Sequence, residues 1–424
     1  MRARLITFIL LVFVGGCGQQ PQPEMLGPES VRLLLVADPF GLAIDRYRRE
    51  LESQIGVGVE IELVGYNDVR RLALSNAASN SQAYDLISFD VVWLGEYVER
   101  GVLDPLDDAF AAGCERNGFL KQALRDCMAG DTTYGFPIQP HSELLWYRAD
   151  LFEAAGLGVP QTTTELLAAA RRMTDGAAER YGIAWNGARG QALGQTVAHT
   201  LAAFGHHVLD DTGRPVLTGP EVAAALGFLR ELLACSPPDV LTMAWDQRIA
   251  AFGAGRVAMT YGWGGRAFTV TGMPAGDPAR EHVRFAPPPT APGAPHVVPL
   301  GTWSLGLAPG LPDARRERAL DVMRRLCGDD GARELVRYGN GGPSRTAVLS
   351  DASMAALNPV FPLMAELDDA GVLQSWMRPA VPEWSELCEI MGTVFHDYLQ
   401  GRVSLDEAMQ LAQVQADALF GVQP

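Results

Sequence analysis

Short apolar runs alternate with amphipathic stretches from residue 31 onward. VRLLLVA at 31–37 precedes a helix-patterned stretch at 41–55, VEIELV at 59–64 precedes a second such stretch, and YDLISFD follows at 84–90. Strand-length runs separated by helical periodicity predict a βαβαβ unit and hence an α/β fold with a parallel sheet. Such a sheet turns its ligand-facing loops toward the C-terminal strand ends. Asp38, Pro39 and Phe40 after the first strand, and Asp90 to Trp93 after the third, are therefore expected along one edge, as the first half of a binding site.

A second series opens with YGFPIQ at 134–139, whose apolar continuation LLWY at 144–147 leads into a long helical region. Helix starts are signposted by Thr162 with Glu165, Thr218 with Glu221, and Ser404 with Glu407. Each has capping-box spacing, in which hydroxyl and carboxylate satisfy free backbone donors. Leu405, Ala408, Met409, Leu411, Ala412 and Leu419 keep helical spacing and read as core positions. Residues 273–295 are the densest in Pro and Gly. The strand-like run 303–309 and an amphipathic helix come after them, a βα unit that can rejoin either domain.

At the N-terminus, Arg2 and Arg4 precede an apolar run at 6–16 that ends in two glycines and Cys17. The run is short for a membrane span, and the order of its features predicts an export signal cut before Cys17, with lipid on the cysteine sulfur. Residues 17–30 then form a polar, proline-rich tether. Without residues 1–16, 34 basic residues lose Arg2 and Arg4 to leave 32 against 50 acidic ones, a net −18. A surface of that charge with no basic block argues against nucleic acid as a partner.

The exported chain meets oxidising conditions, and Cys114 with Cys127, bracketing a short loop, are the expected disulfide; Cys235 with Cys327 is a weaker pairing. No cysteine or histidine spacing suggests zinc, and His206–His207 read as surface or helix-end residues. Nucleotide, metalloprotease and serine-hydrolase motifs are absent, and the Gly-rich segments at 262–265 and 339–342 read as turns. No metal and no cofactor is expected. Indoles beside polar groups stand out instead: Trp93, Trp185, Trp263 and Trp303 are flanked by Gly, Asp or Asn. An indole face packs on sugar C–H groups while carboxylates and amides bond hydroxyls.

Four segments, at 84–106, 134–152, 252–263 and 343–349, together resemble the family 1 extracellular solute-binding proteins of ABC importers. The resemblance spans nearly the whole mature chain. It implies a two-lobe periplasmic-binding-protein fold of type II, hinge-connected, with ligand bound between the lobes. Residues 31–137 and 297–343 would form lobe 1, and 138–296 with 344–424 lobe 2. The same likeness to trehalose/maltose-type and polyol-type members implies ligand contacts from Asp90, Trp263, Trp303 or Gly301, and Arg345. Thr302 separates Gly301 from Trp303, so which of the two meets the ligand is left open. Gln139, His141 and Glu143 lie where sugar and polyol binders vary. Asp38, Phe40, Trp93 and Trp185 complete the candidate set. The implied partners are a sugar or polyol, the transmembrane permease subunits and, through the lipid on Cys17, the membrane; a monomer is expected. A lipid-anchored glycoside-processing enzyme competes with this reading, with Asp90 and Glu143 as its carboxylate pair. A sugar-sensing receptor subunit would share the fold and the site.

Overall fold

The computed structural model describes residues 30–107 and 116–422; the signal segment, Cys17 and Cys114 lie outside them. Strands β1 (Val31–Val36), β2 (Val59–Val64) and β3 (Leu86–Asp90) are parallel, with β1 between the other two. The helix Pro39–Ile55 follows β1, and the helix Tyr66–Ser79 follows β2. Pro39 at the first helical position has the right φ and needs no donor there, while Gly56 stops the helix at φ 68. The predicted βαβαβ unit is thus formed. β1 and β3 are buried on both faces, as a covered parallel sheet requires.

A two-stranded ribbon, β4 (Met128–Ala129) with β5 (Thr132–Thr133), leads into the long strand β6 (Gly135–Arg148). Next come β7 (Tyr181–Ala184), β8 (Val257–Trp263), β9 (Val283–Ala286), β10 (Val298–Leu307) and β11 (Leu373–Gln374). The order across the sheet is β2-β1-β3-β10-β6-β8-β7, with β11 on β10 and β9 on β6. β6 changes partners along its length. Residues 135–142 pair with β10, whereas Glu143 to Tyr147 pair with β8 and Leu145 to Arg148 with β9. The chain therefore has two α/β halves, and β6 runs from one into the other. β10 lies antiparallel between β3 and β6, so the late βα unit rejoins the first half.

Two capping boxes form as the spacing predicts, at Thr162 with Glu165 and Ser404 with Glu407. The third does not. Pro220 takes the first helical position of Pro220–Leu233, which makes Gly219 the N-cap and leaves Thr218 one residue too early. In the last helix, Leu405–Leu419, Ala408, Met409 and Ala412 are buried, but Leu411 is 46% exposed, a solvent-side position that spacing alone assigned to the core. Among the described residues Cys127 and Cys235 are free thiols, Cys127 fully buried against Ser304 Oγ and the Ala123 carbonyl, and Cys235 is not paired with Cys327; the expected Cys114–Cys127 pairing lies outside the described residues.

Candidate functional site

The C-terminal ends of the three parallel strands deliver the first half of a cleft. Asp38 caps the helix after β1 by position, yet its side chain makes no capping bond. It reaches across to Arg266, with Nη2 2.7 Å from Oδ1. Tyr66 opens the helix after β2, and its hydroxyl donates to Asp90 Oδ2 at 2.9 Å. Asp90 ends β3 and also has Arg378 Nη1 at 3.5 Å. Burial, with the Asp90 charge beside it, pushes the Tyr66 phenol well above its usual range, so it remains a donor. Trp303 lies opposite Asp90 in the β3–β10 register. Its ring is 5.8 Å from Tyr66, 5.5 Å from Trp93 and 5.7 Å from Phe40.

The second half supplies another ring and a second set of polar groups. Trp263 closes β8, 4.8 Å from the His141 ring, and the Arg378 guanidinium lies 5.1 Å over the indole. Trp245 opens the helix Trp245–Gly253 and stacks toward Tyr66 at 6.2 Å; its N–H donates to Gln195 Oε1 at 3.2 Å. Arg266, in the turn after β8, pairs with Asp246 as well as Asp38. These groups surround a cleft of about 300 Å³. Among the described residues, Gln195 Nε2 and Arg378 Nε are buried in it or beside it without a hydrogen-bond partner.

The electrostatics follow from burial. Desolvation raises the Asp38 carboxyl above its ordinary value against the pull of Arg266. Burial, then the Arg378 and Arg266 charges, hold His141 down to about 3, so its ring is neutral at pH 7. Gly301 is close-packed here because a Cβ on it would stand 2.7 Å from Arg378 Nη2 and 3.2 Å from the His141 ring. Trp303 lines the cleft, and Gly301 makes room for the arginine.

Other sequence candidates serve from behind or elsewhere. Gln139 is fully buried, accepting from the Phe40 N–H at 3.1 Å and contacting His141 Nδ1 at 3.3 Å; it fixes the end of the first helix under the site. Phe40 and Trp93 back the aromatic cluster. Trp185 is core, its N–H donating to Ser236 Oγ at 2.9 Å. Arg345 is 3% exposed, bound to Asp329, with its guanidinium 4.3 Å over Phe119. Neither lines the cleft. Glu143 pairs with Arg248 at 2.7 Å and with His199, and all three are buried. Desolvation alone would raise its carboxyl, but Arg248 and His199 outweigh it and hold Glu143 at about 2. Glu143 and His199 line a separate, smaller cavity of about 40 Å³. Asp90 and Glu143 therefore do not face one space. His206 donates to the Val216 carbonyl at 2.8 Å, and His207 stacks on Trp376 at 3.8 Å.

Sequence reasoning missed Tyr66, Gln195, Trp245, Asp246, Arg266 and Arg378. Tyr66 stands just past the end of β2, so the strand-end rule that selected Asp38 and Asp90 covers it too. Arg266 follows directly on the Gly-rich turn at 262–265. Gln195, Trp245 and Arg378 carry no local signal; tertiary packing brings them in.

Two α/β halves joined by a shared strand, each presenting aromatic faces and hydrogen-bonding groups to the cleft between them, define an interlobe ligand-binding protein. The chain belongs to the bacterial extracellular solute-binding protein family, whose model matches residues 47–321. It is similar to a mannitol-binding protein of Pseudomonas aeruginosa, 23% identical over 416 residues, covering 91% of this chain and 92% of that one. Among solved structures it is similar to an ABC transporter solute-binding protein from Agrobacterium radiobacter K84 in complex with ribitol. That match has TM-score 0.86 and 26% identity, covering 93% of this chain and 99% of the other. Maltose-bound MalE3 of T. maritima shares the fold at TM-score 0.80 and 24% identity, with 92% of this chain and all of that chain covered. Family and neighbours are binding proteins rather than enzymes. No helix among the described residues is long and apolar enough to cross a membrane.

Proposed function

We propose that this protein captures a sugar or polyol in its interlobe cleft and hands it to the transmembrane permease of an ABC importer, while lipid on Cys17 tethers it to the outer face of a bacterial membrane. The observation that carries this reading is the composition of the cleft. Trp263 and Trp303 offer apolar faces from opposite halves, while Asp90, Gln195 and Arg378 offer acceptors and donors between them. Such a pairing suits a molecule with C–H faces and many hydroxyls. The names of the ribitol- and mannitol-binding relatives point the same way. Binding is favoured over glycoside hydrolysis because the carboxylates nominated for catalysis occupy different cavities, and Glu143 is committed to Arg248 and His199.

A thermal-shift screen of sugars and polyols tests this, because a ligand that binds only the native state raises its apparent stability by mass action. The reading predicts a concentration-dependent rise with at least one such compound and no product formed from glycosides. Cys17→Ser should move the protein from the membrane fraction to the soluble one; retention would refute the tether.

A further inference from the structure

The mouth of the cleft is spanned by direct contacts between the two halves. Asp246, Arg266 and Asp38 form a continuous ionic bridge whose side chains are 76%, 30% and 9% exposed in that order, so it runs from solvent to interior. Beside it, Trp245 from the same half as Arg266 meets Tyr66, which stands next to Gly65 at the end of β2. The space between the halves is about 300 Å³, at the lower end of the roughly 300–1,000 Å³ of small-molecule pockets. A cleft of that size suits one hexose or hexitol, about twelve non-hydrogen atoms, better than a disaccharide of about twice as many. The charges leave one carboxylate in excess. Asp38, Asp90 and Asp246 face Arg266 and Arg378, each arginine already has a carboxylate partner, and His141 is neutral at pH 7. An anionic guest would have to displace one of those carboxylates at a desolvation cost.

We infer that the Asp246–Arg266–Asp38 bridge, with the Tyr66–Trp245 contact, limits the ligand to an uncharged single unit, a monosaccharide or an acyclic polyol of similar size, and excludes longer saccharides and sugar phosphates. This rests on the carbohydrate reading above, and the test separates the two. Calorimetry on the wild-type protein would compare pentitols, hexitols and hexoses with maltose, maltotriose and glucose 6-phosphate. The best single-unit ligand should bind at least tenfold more tightly than either oligosaccharide, and the phosphate should give no measurable heat. Maltose or maltotriose binding as tightly as the best single unit overturns the size limit but leaves the carbohydrate reading standing. Tight binding of the phosphate overturns the charge argument. Failure of every sugar and polyol refutes the carbohydrate reading itself. Arg266→Ala should narrow the single-unit preference about tenfold by opening the rim, and an unchanged preference in a folded variant removes the bridge as its cause. Should that variant not fold, the wild-type length series decides alone.

Discussion

Asp90 and Glu143 are both buried carboxylates paired with arginine, and they sit in neighbouring parts of the molecule with opposite roles. Asp90 ends a parallel strand at the edge of a 300 Å³ cleft, takes one hydrogen bond from Tyr66, and has its arginine at the longer distance of 3.5 Å. Glu143 lies within a strand, opposite Trp263 in register, and its arginine at 2.7 Å and histidine leave it no access to the cleft. The difference lies in what each charge faces. Asp90 lines the cleft, whereas Glu143 neutralises Arg248, a fully buried cation that would otherwise be stranded. Nearness to a site is no measure of participation in it; the space a group faces and the charge it neutralises are.

The sharpest way to break this comparison is to delete each acid. Glu143→Ala strands Arg248 and should cost about 3–5 kcal/mol of stability, read as a large drop in Tm or in the urea midpoint. A stability within experimental error of wild type would show that Glu143 is not the structural partner described.

Acid titration separates His141 from Glu143 by pH window. His141, on the cleft side, has its folded pKa lowered to about 3, and burial lowers His199 as well. For a base depressed in the folded state, the unfolded chain takes up the proton first, so stability falls as pH drops below about 6.5, by up to about 1.4 kcal/mol per unit for each histidine. Glu143, held at about 2, acts lower: its contribution is complete above the ordinary glutamate value of 4.5 and is lost as pH falls toward 2. Denaturant melts across pH 7 to 3 should therefore flatten in the upper window for His141→Gln and in the lower window for Glu143→Gln, whose upper window still carries both histidines. Identical profiles for both variants would contradict the assignment.

Asp90→Ala should act on the ligand instead. Removing a charged hydrogen-bond partner is expected to weaken the best sugar or polyol by about 1.5–3 kcal/mol, roughly tenfold to a hundredfold, with little change in Tm. Calorimetry showing wild-type affinity would place Asp90 with Glu143 among the structural acids.

How far the sequence foretells these roles depends on whether a residue's position is set locally. Asp38 and Asp90 are legible because strand ends fix them, and the βαβαβ order follows from apolar periodicity alone. Trp263 and Trp303 stand out as indoles among glycine and polar neighbours, and family likeness adds to that. Trp185 misleads because an indole beside an asparagine looks the same in sequence whether its N–H faces a guest or, as here, Ser236. Arg345 misleads likewise, its charge answered by Asp329. Arg378 could not be read at all. It arrives from the chain after β11, on a turn closed by its own N–H to the Ser375 carbonyl, into space that Gly301 leaves open.

The smallest effect tests what the aromatic half contributes. Trp263→Phe keeps a ring in the same wall but shortens the face, and it weakens the attraction of the ring for Arg378 at 5.1 Å, since indole is the better cation–π partner. Affinity should fall by about 0.5–1.5 kcal/mol, roughly threefold to tenfold, less than for Asp90→Ala because the apolar contact is trimmed rather than removed. The loss should be greater for a pyranose, which presents a flat C–H face, than for an acyclic hexitol, which does not. Equal losses for the two would mean that Trp263 acts only by holding Arg378 in place. Its role would then resemble that of Glu143, a residue beside the ligand that works on its neighbours.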